Sequence, residues 1–550
     1  MSLPLNLVFE TNKKPVRQQK LRGGYYTPVP LAAFLARWAI RTGTERILEP
    51  SAGDGNFLLA ALDQLSDDAS VVAVEIEPDE VRSAQNRLDG RHNRIEWFCG
   101  DFFEIYDQLT QKPKFDIAIG NPPFIRFQHF DASSREKAFH HLRMAGYKPT
   151  KLANAWVAFV ELCMELLAEN GRLAMVVPAE ILQVKYASEL RSRLSKQFEH
   201  IVLVSFRKLV FPEIQQEVVL LLAEGKRQQL GKPSDIHTIE FEDGAALIAR
   251  GDLTDAVAHL PAKHTRNGMK WTALFLSRDA FSALDEAEQS VKLTPLGRLA
   301  EVDVRIVTGR NSFFVLPKSK REELCVQSVS VPIIGRTSAL ASILFNSDDF
   351  ESYTTQHPAY LLHLSGVAQS TFPTALINYI QEGEAEEVHK GYKCRIRKRW
   401  VDVPSVFVPQ AFLYRQIHKY PLLVVNNAGV TSTDTIHRVR IKPNINVKLL
   451  AGCFFNSLTM AWAEVCGRSY GGGVLELEPR EAEELPIPYA EHLSLDIEKV
   501  DTLLRQGQHL AALDYVDSVV LKGFLGFDDS MITNIRLAWT ELSSRRHYRR

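Results

Sequence analysis

Residues 116–127 read DIAIGNPPFIRF, and the apolar run stops at Asn121-Pro122-Pro123-Phe124. Two successive prolines end a strand, because neither has the N–H that a ladder requires. The same residues can also do chemistry. The Asn121 side-chain oxygen and the Pro122 carbonyl are two hydrogen-bond acceptors, and the prolines hold that carbonyl rigidly. An amino nitrogen conjugated to an aromatic ring is a poor nucleophile, because its lone pair is delocalised. Two acceptors aimed at its N–H bonds favour a tetrahedral nitrogen and steer the lone pair toward an electrophile. No conventional general base is needed, since the product nitrogen is strongly acidic until it sheds its proton. Phe124 adds a ring face for stacking.

A second group of residues can hold a nucleoside. The stretch LEPSAGDGNFLLA has Gly53 and Gly55 flanking Asp54, with a helix starting near Asn56. A glycine-rich strand-to-helix turn lets backbone approach a ligand at the carboxyl edge of a sheet. Glu75 ends the next β-rich run, about 20 residues on, where a carboxylate accepts from both ribose hydroxyls. Asp101, in CGDFFE, is placed to accept from an adenine amino group, and Phe102 to cover a ring face. Each has a plainer reading, as a turn or a solvated strand end. Leu58 stands where a dinucleotide fold has its third glycine, which disfavours NAD, and no G-K-[ST] follows to make a P-loop. The remaining common adenosine ligand is S-adenosylmethionine, which has no phosphate. Upstream, Thr27 is expected to cap a helix with Pro28 as its first residue, and Tyr26 and Thr27 to fold over the cofactor.

These residues need a sheet to bring them together. Apolar β-rich runs at 46–51, 71–76, 95–100, 115–120, 172–177, 201–206 and 217–223 alternate with helical stretches. Such runs predict a mostly parallel sheet covered on both faces. The last two are too close for a crossover helix, so they should pair antiparallel. Residues 226–290 read as a less regular connection, and a turn-rich segment with scattered cations and aromatics follows. Helical patterning returns from about 445.

Composition bounds the rest. Of 550 residues, 45% are apolar and 24% charged, with a net charge of −1, so an acidic partner must be met by local patches. The six cysteines form no C-x-x-C pair, so no metal site is expected and a reducing, cytoplasmic setting fits. The polar N-terminal stretch TNKKPVRQQK has no secretory h-region, and no apolar run reaches about 18 residues, so no membrane span is expected.

The segments YYTP, LEPSAGDGNFL, VEIEP, GDFF, IGNPPF, MVVPAEIL and VFPEIQQEVVLLLAE occur in this order over about residues 22–224. This series resembles the γ-class, Taq-type, amino-methylating DNA methyltransferases of restriction-modification systems. The resemblance implies a class I S-adenosylmethionine-dependent methyltransferase: an α/β fold with a seven-stranded, mostly parallel sheet whose last strand is reversed. It assigns Tyr26, Thr27, Glu49, Ser51, Gly53, Gly55, Glu75, Ile76, Asp101, Phe102 and Asn121 to the cofactor. It assigns catalysis to Asn121, Pro122, Pro123 and Phe124, with Phe124 and Phe211 stacking on a target base. Many relatives have Tyr at position 124; here the hydroxyl is absent and the ring remains. Such a site cannot reach a base inside a duplex, so base flipping is implied.

A methyltransferase core cannot choose a DNA sequence, so a reader is expected. The resulting division is a catalytic domain (1–225), a connection (226–290), a mixed α/β target-recognition domain (291–490) and a helical segment (491–550). Candidate DNA contacts are Arg305, Arg310 and Asn311, then the basic run of Lys393, Arg395, Arg397, Lys398 and Arg399, and Arg438. Arg207 and Lys208 are further phosphate candidates or a solvated face.

The expected activity is methylation of the adenine 6-amino group in double-stranded DNA at a specific site, by a monomer. The alternatives are cytosine-N4 methylation, amino methylation of RNA or protein glutamine, or a non-catalytic DNA-binding subunit. Asn rather than Ser at position 121 tilts toward adenine, and the long second half disfavours RNA and protein substrates. Only some 20 residues precede YYTP, so a separately encoded endonuclease is expected.

Overall fold

The computed structural model describes residues 26–88, 90–150, 154–211, 216–229, 231–266, 268–303, 306–470 and 473–548. The chain divides into two compact units, Met1–Phe275 and Leu276–Arg550.

The first unit is built on a sheet of eight strands: β1 (Arg46–Glu49), β2 (Ser70–Glu75), β3 (Ile95–Cys99), β4 (Phe115–Gly120), β5 (Leu167–Pro178), β6 (His200–Phe206), β7 (Val218–Glu224) and β8 (Asp235–Phe241). Their order is β3-β2-β1-β4-β5-β7-β6-β8. The central strands are buried along nearly their whole length, as strands covered on both faces must be. Helices that frame the site are α1 (Val29–Ala39), α2 (Asn56–Leu62), α3 (Pro78–Arg87), α4 (Phe102–Thr110), α5 (Ala132–Met144) and α6 (Ala155–Leu166). The chain moves outward from β1 to β2 and β3, then returns to place β4 on the other side of β1. That reversal opens a crevice at the carboxyl ends of β1 and β4, where ligands bind in such sheets.

β7 runs antiparallel to both β5 and β6, as the short spacing between the last two runs requires. The connection carrying Phe211 therefore leaves β6 at the same sheet edge as the crevice. The eighth strand departs from expectation. Residues 235–241 (DIHTIEF) pair parallel with β6, from His200↔Asp235 to Phe206↔Phe241, within the segment read as a connection. An edge strand buries only part of its length, so its sequence lacks the apolar run that reveals its neighbours.

Helix α1 begins one residue later than expected. Pro28 holds the cap position, and its carbonyl accepts from Leu31 and Ala32 N–H at 2.9 and 3.0 Å. Thr27 is thus outside the helix.

The second unit holds a five-stranded and a four-stranded sheet with two smaller ones. Two buried helices, Val447–Phe454 and Ser457–Cys466, are followed by Ile497–Arg505, His509–Asp517 and Asp529–Tyr548. Asp529–Tyr548 is tied to Ser457–Cys466 by the buried pair Arg546–Glu464 at 2.8 Å. Among the described residues no single helix is long and apolar enough to cross a membrane.

Candidate active site

Four strand ends converge on one cavity of about 360 Å³ in the first unit. β1 delivers Glu49 and Ser51, β2 delivers Glu75 and Ile76, β3 delivers Asp101 and β4 delivers Asn121. Tyr26, Thr27, Gly53, Phe102 and Pro123 also line it.

The glycine turn is held by the acid that follows it. Glu75 Oε2 accepts from Gly53 N–H at 2.7 Å and Oε1 from Glu77 N–H at 2.9 Å. The two glycines do different jobs. Gly53 has φ +51°, and a Cβ there would sit 3.2 Å from the Tyr26 ring, which lies over the turn. Gly55 has φ +79°, and its Cβ would meet Ala84 Cβ on α3 at 3.0 Å. Gly55 does not line the cavity. Its lack of a Cβ lets α2 and α3 pack. Asn56 Nδ2 donates to the Thr27 carbonyl at 2.9 Å, and Arg87 donates to Asn56 Oδ1 at 2.8 Å while pairing with Asp54 at 2.9 Å. The segment before α1 is thereby fastened to the turn.

Ser51 has a more specific place than a general cofactor contact: its hydroxyl donates to the Asn121 main-chain carbonyl at 3.2 Å. It bridges the ends of β1 and β4 and fixes the start of the Asn-Pro-Pro-Phe segment. Pro122 is buried beneath this segment and does not line the cavity. Phe124 is half-buried and packs against the hydrophobic cluster that contains Phe211. Asp101 caps α4 through Phe103 N–H at 2.8 Å, so it serves the turn and the cavity together. Phe102 stacks on Phe159 of α6, with centroids 4.8 Å apart and planes at 18°.

Sequence reasoning missed one wall of the cavity: Phe130, Asp131, Ser134 and Phe159. Asp131 caps α5 by accepting from Ser133 and Ser134 N–H at 2.8 and 3.2 Å. The string Asp-Ala-Ser-Ser is a readable helix start. Nothing local shows that the helix N-terminus closes a cavity.

Arg207 and Lys208 lie against acidic residues at the end of β8 and just beyond it: Lys208 Nζ is 3.0 Å from Glu242, and Arg207 Nε is 3.7 Å from Glu240. In the second unit the basic candidates separate. Arg310, Asn311, Lys393, Arg395 and Lys398 are exposed. Arg397 donates to the carbonyls of Val307 and Thr308 at 2.6 and 2.7 Å, and Arg399 makes a two-pronged pair with Asp402 at 2.9 and 2.7 Å. Arg438 is fully buried, with its guanidinium 4.1 Å from the Phe407 ring centroid and donating to the Ser405 carbonyl at 2.7 Å. Each of these three cations is engaged within the unit, Arg397 by main-chain carbonyls, Arg399 by Asp402 and Arg438 by the Ser405 carbonyl and the Phe407 ring. Arg305 lies outside the described residues.

A family profile described as the Eco57I restriction-modification methylase matches residues 46–211. One described as the C-terminal domain of the type II methyltransferase M.Eco57I matches residues 268–521. The chain belongs to the Eco57I-type restriction-modification methylases. The methylase is 22% identical to the type II methyltransferase M.AccI of Acinetobacter calcoaceticus, over 83% of each chain. It is 25% identical to the type II methyltransferase M.XamI of Xanthomonas campestris pv. amaranthicola, over 86% of each. Among solved structures, the type IIL restriction-modification enzyme MmeI, in complex with DNA, aligns with a TM-score of 0.52 at 13% identity. That alignment covers 94% of this chain and 74% of that one, and at this identity the likeness concerns the fold.

The methylase uses S-adenosylmethionine, and its cavity suits that cofactor. Both carboxylate oxygens of Glu49 and the hydroxyl of Thr27 are buried without a hydrogen-bond partner among the described residues. A ligand with an ammonium group supplies the missing donors, and a sulfonium adds a second positive charge among Glu49, Asp54 and Glu75. Burial, then the charges of Asp54 and Glu75, pushes the Glu49 carboxyl well above its ordinary range. Burial also raises Glu75, against the lowering effect of its two backbone bonds.

The sign for binding follows. Glu49 and Glu75 retain protons above the ordinary carboxylate range when the cavity lacks a cation, and a cationic ligand favours their ionised forms. Cofactor affinity should therefore rise as pH climbs above the ordinary carboxylate range, with proton release on binding. For the ligand-free chain the effect is opposite, with stability falling as pH climbs into the raised range. Calorimetry in buffers of different ionisation enthalpy measures the release; an affinity flat with pH and no proton release would contradict this role for the acids.

Proposed function

We propose that the methylase transfers a methyl group to the 6-amino group of adenine in double-stranded DNA, at a specific sequence, as the modification arm of a restriction-modification system. The observation that carries this reading is the Asn121-Pro122-Pro123-Phe124 segment that follows β4, whose Asn121 and Pro123 line the same cavity as Glu49, Glu75 and Asp101. S-adenosylmethionine supplies a methyl group carried on a sulfonium.

The roles of the chain's own groups follow from their chemistry. Glu75 holds the ribose hydroxyls, Asp101 accepts from the adenine amino group of the cofactor, and Phe102 and Ile76 enclose that ring. Glu49 and Thr27 take the ammonium end. The Asn121 side-chain oxygen and the Pro122 carbonyl accept the two N–H bonds of the target amine, which directs its lone pair away from the ring. Ser51, by donating to the Asn121 carbonyl at 3.2 Å, keeps that segment from shifting. Phe124 and Phe211 share one apolar cluster and offer faces for a base turned out of the duplex.

Cytosine-N4 is the nearest alternative target, because it is also an exocyclic amine. Asn at position 121 supports adenine. Long-read sequencing of DNA from a host expressing the methylase tests both target and sequence context. The expected result is N6-methyladenine at one recurrent motif. N4-methylcytosine, or methylation confined to RNA, would overturn the assignment.

A further inference from the structure

The exposed part of the basic run in the second unit has an apolar tip. Tyr392 and Ile396 are 64% and 61% exposed and adjoin one another, so they form a small apolar patch rather than single exposed side chains. They lie one helical turn apart, since Ile396 N–H bonds the Tyr392 carbonyl at 3.4 Å, so they share a face. Lys393, Arg395 and Lys398 neighbour them in the chain, all exposed, with Lys393 Nζ 5.4 Å from the Tyr392 ring centroid. No described carboxylate pairs with any of the three.

The support beneath this tip is rigid. Arg397 fastens it to Val307 and Thr308, and donates to the Trp400 carbonyl at 3.1 Å. Arg399 fastens the following residues to Asp402 and to the Leu364 and Val367 carbonyls at 2.6 and 2.8 Å. Cys394 is buried against Gly309, where a Cβ would lie 2.9 Å from the sulfur. Two arginines of the run therefore anchor the element, and its remaining cations are exposed beside an exposed apolar pair.

We propose that Tyr392 and Ile396 form a wedge that inserts against the base pairs of the DNA duplex while Lys393, Arg395 and Lys398 contact its phosphates. The inference rests on the reading of duplex DNA as substrate. Charge complementarity selects this occupant: three cations beside an apolar tip suit a polyanion whose stacked bases are apolar, on a chain whose net charge is only −1. Apolar wedges flanked by cations partly unstack a base step and bend the duplex. A preformed wedge loses little conformational freedom on insertion.

The test uses the full chain with S-adenosylmethionine and an end-labelled duplex carrying the motif found by sequencing. The Tyr392→Ala/Ile396→Ala variant should weaken duplex binding about ten- to a hundredfold, the scale of lost base stacking. It should also abolish the change in end-to-end energy transfer that reports bending, with its thermal melt unchanged. Leu510→Ala, which removes an apolar side chain of similar exposure elsewhere, should change neither. Arg395→Gln/Lys398→Gln should instead reduce the slope of log affinity against log salt by roughly two. Wild-type affinity and energy transfer in the Tyr392/Ile396 variant, on a duplex the protein still methylates, would overturn the wedge alone. A change confined to self-association, seen by sedimentation, would also overturn it by making a second copy the occupant. Failure of the unaltered protein to modify any duplex would instead strike the functional reading.

Discussion

Asn121→Ala should lower the rate of methyl transfer by about a thousandfold while S-adenosylmethionine still binds. Losing one preorganised polar contact to a reacting group costs about 10²–10³ in kcat, and here the lost acceptor acts on the nucleophile itself. The cofactor should remain bound because Glu49, Glu75 and Asp101 come from three other strand ends. The fold should survive, since Asn121 is only half-buried and its main-chain carbonyl, which the Ser51 hydroxyl uses, remains. Single-turnover methylation of a duplex and calorimetry with the cofactor separate the two effects. A variant within about threefold of the unaltered rate would sink the proposed mechanism.

The second large effect is expected at Glu75. Its carboxylate accepts from two backbone N–H groups, of Gly53 and Glu77, and lines the cavity as well. Glu75→Ala removes the proposed ribose contact and leaves both N–H groups without their acceptor. Hydrogen bonds to a charged group contribute about 1.5–3 kcal/mol each, so affinity for S-adenosylmethionine should fall about ten- to a hundredfold or more. Glu75→Gln keeps one acceptor but turns a donor toward the other N–H, so it should fall between the two. Calorimetric affinities in the order Glu, Gln, Ala are the expected result. An unchanged affinity in Glu75→Ala, with the turn intact by crystallography, would remove Glu75 from the ribose role.

Much of the first unit's sheet is legible before any coordinates. β4, β6, β7 and the second half of β5 (Leu173–Pro178) are buried along most of their length, so their sequences are mostly apolar, and the short gap before β7 forces its reversal. β8 is not legible, because an edge strand with His237 and Glu240 looks like a solvated linker. The glycines show a similar limit. Sequence marks Gly53 and Gly55 as places where the backbone needs freedom, but not that one faces Tyr26 and the other Ala84.

The basic residues of the second unit mark the same boundary. Lys398 and Arg399 are adjacent and chemically alike, yet Lys398 is exposed and Arg399 grips Asp402. Arg438 is enclosed with Phe407 and Ser405, contacts that sequence distance conceals.

The sequence by itself determined the order of β1 to β7 and the chemical types at their ends, because burial periodicity and turn chemistry are local. Only the tertiary structure decided that Ser51 reaches the Asn121 carbonyl, that α5 and α6 complete the cavity wall, and which cations remain exposed. Those outcomes depend on which surfaces meet after the chain has folded back on itself, and a charge or hydroxyl carries no local sign of its eventual partner.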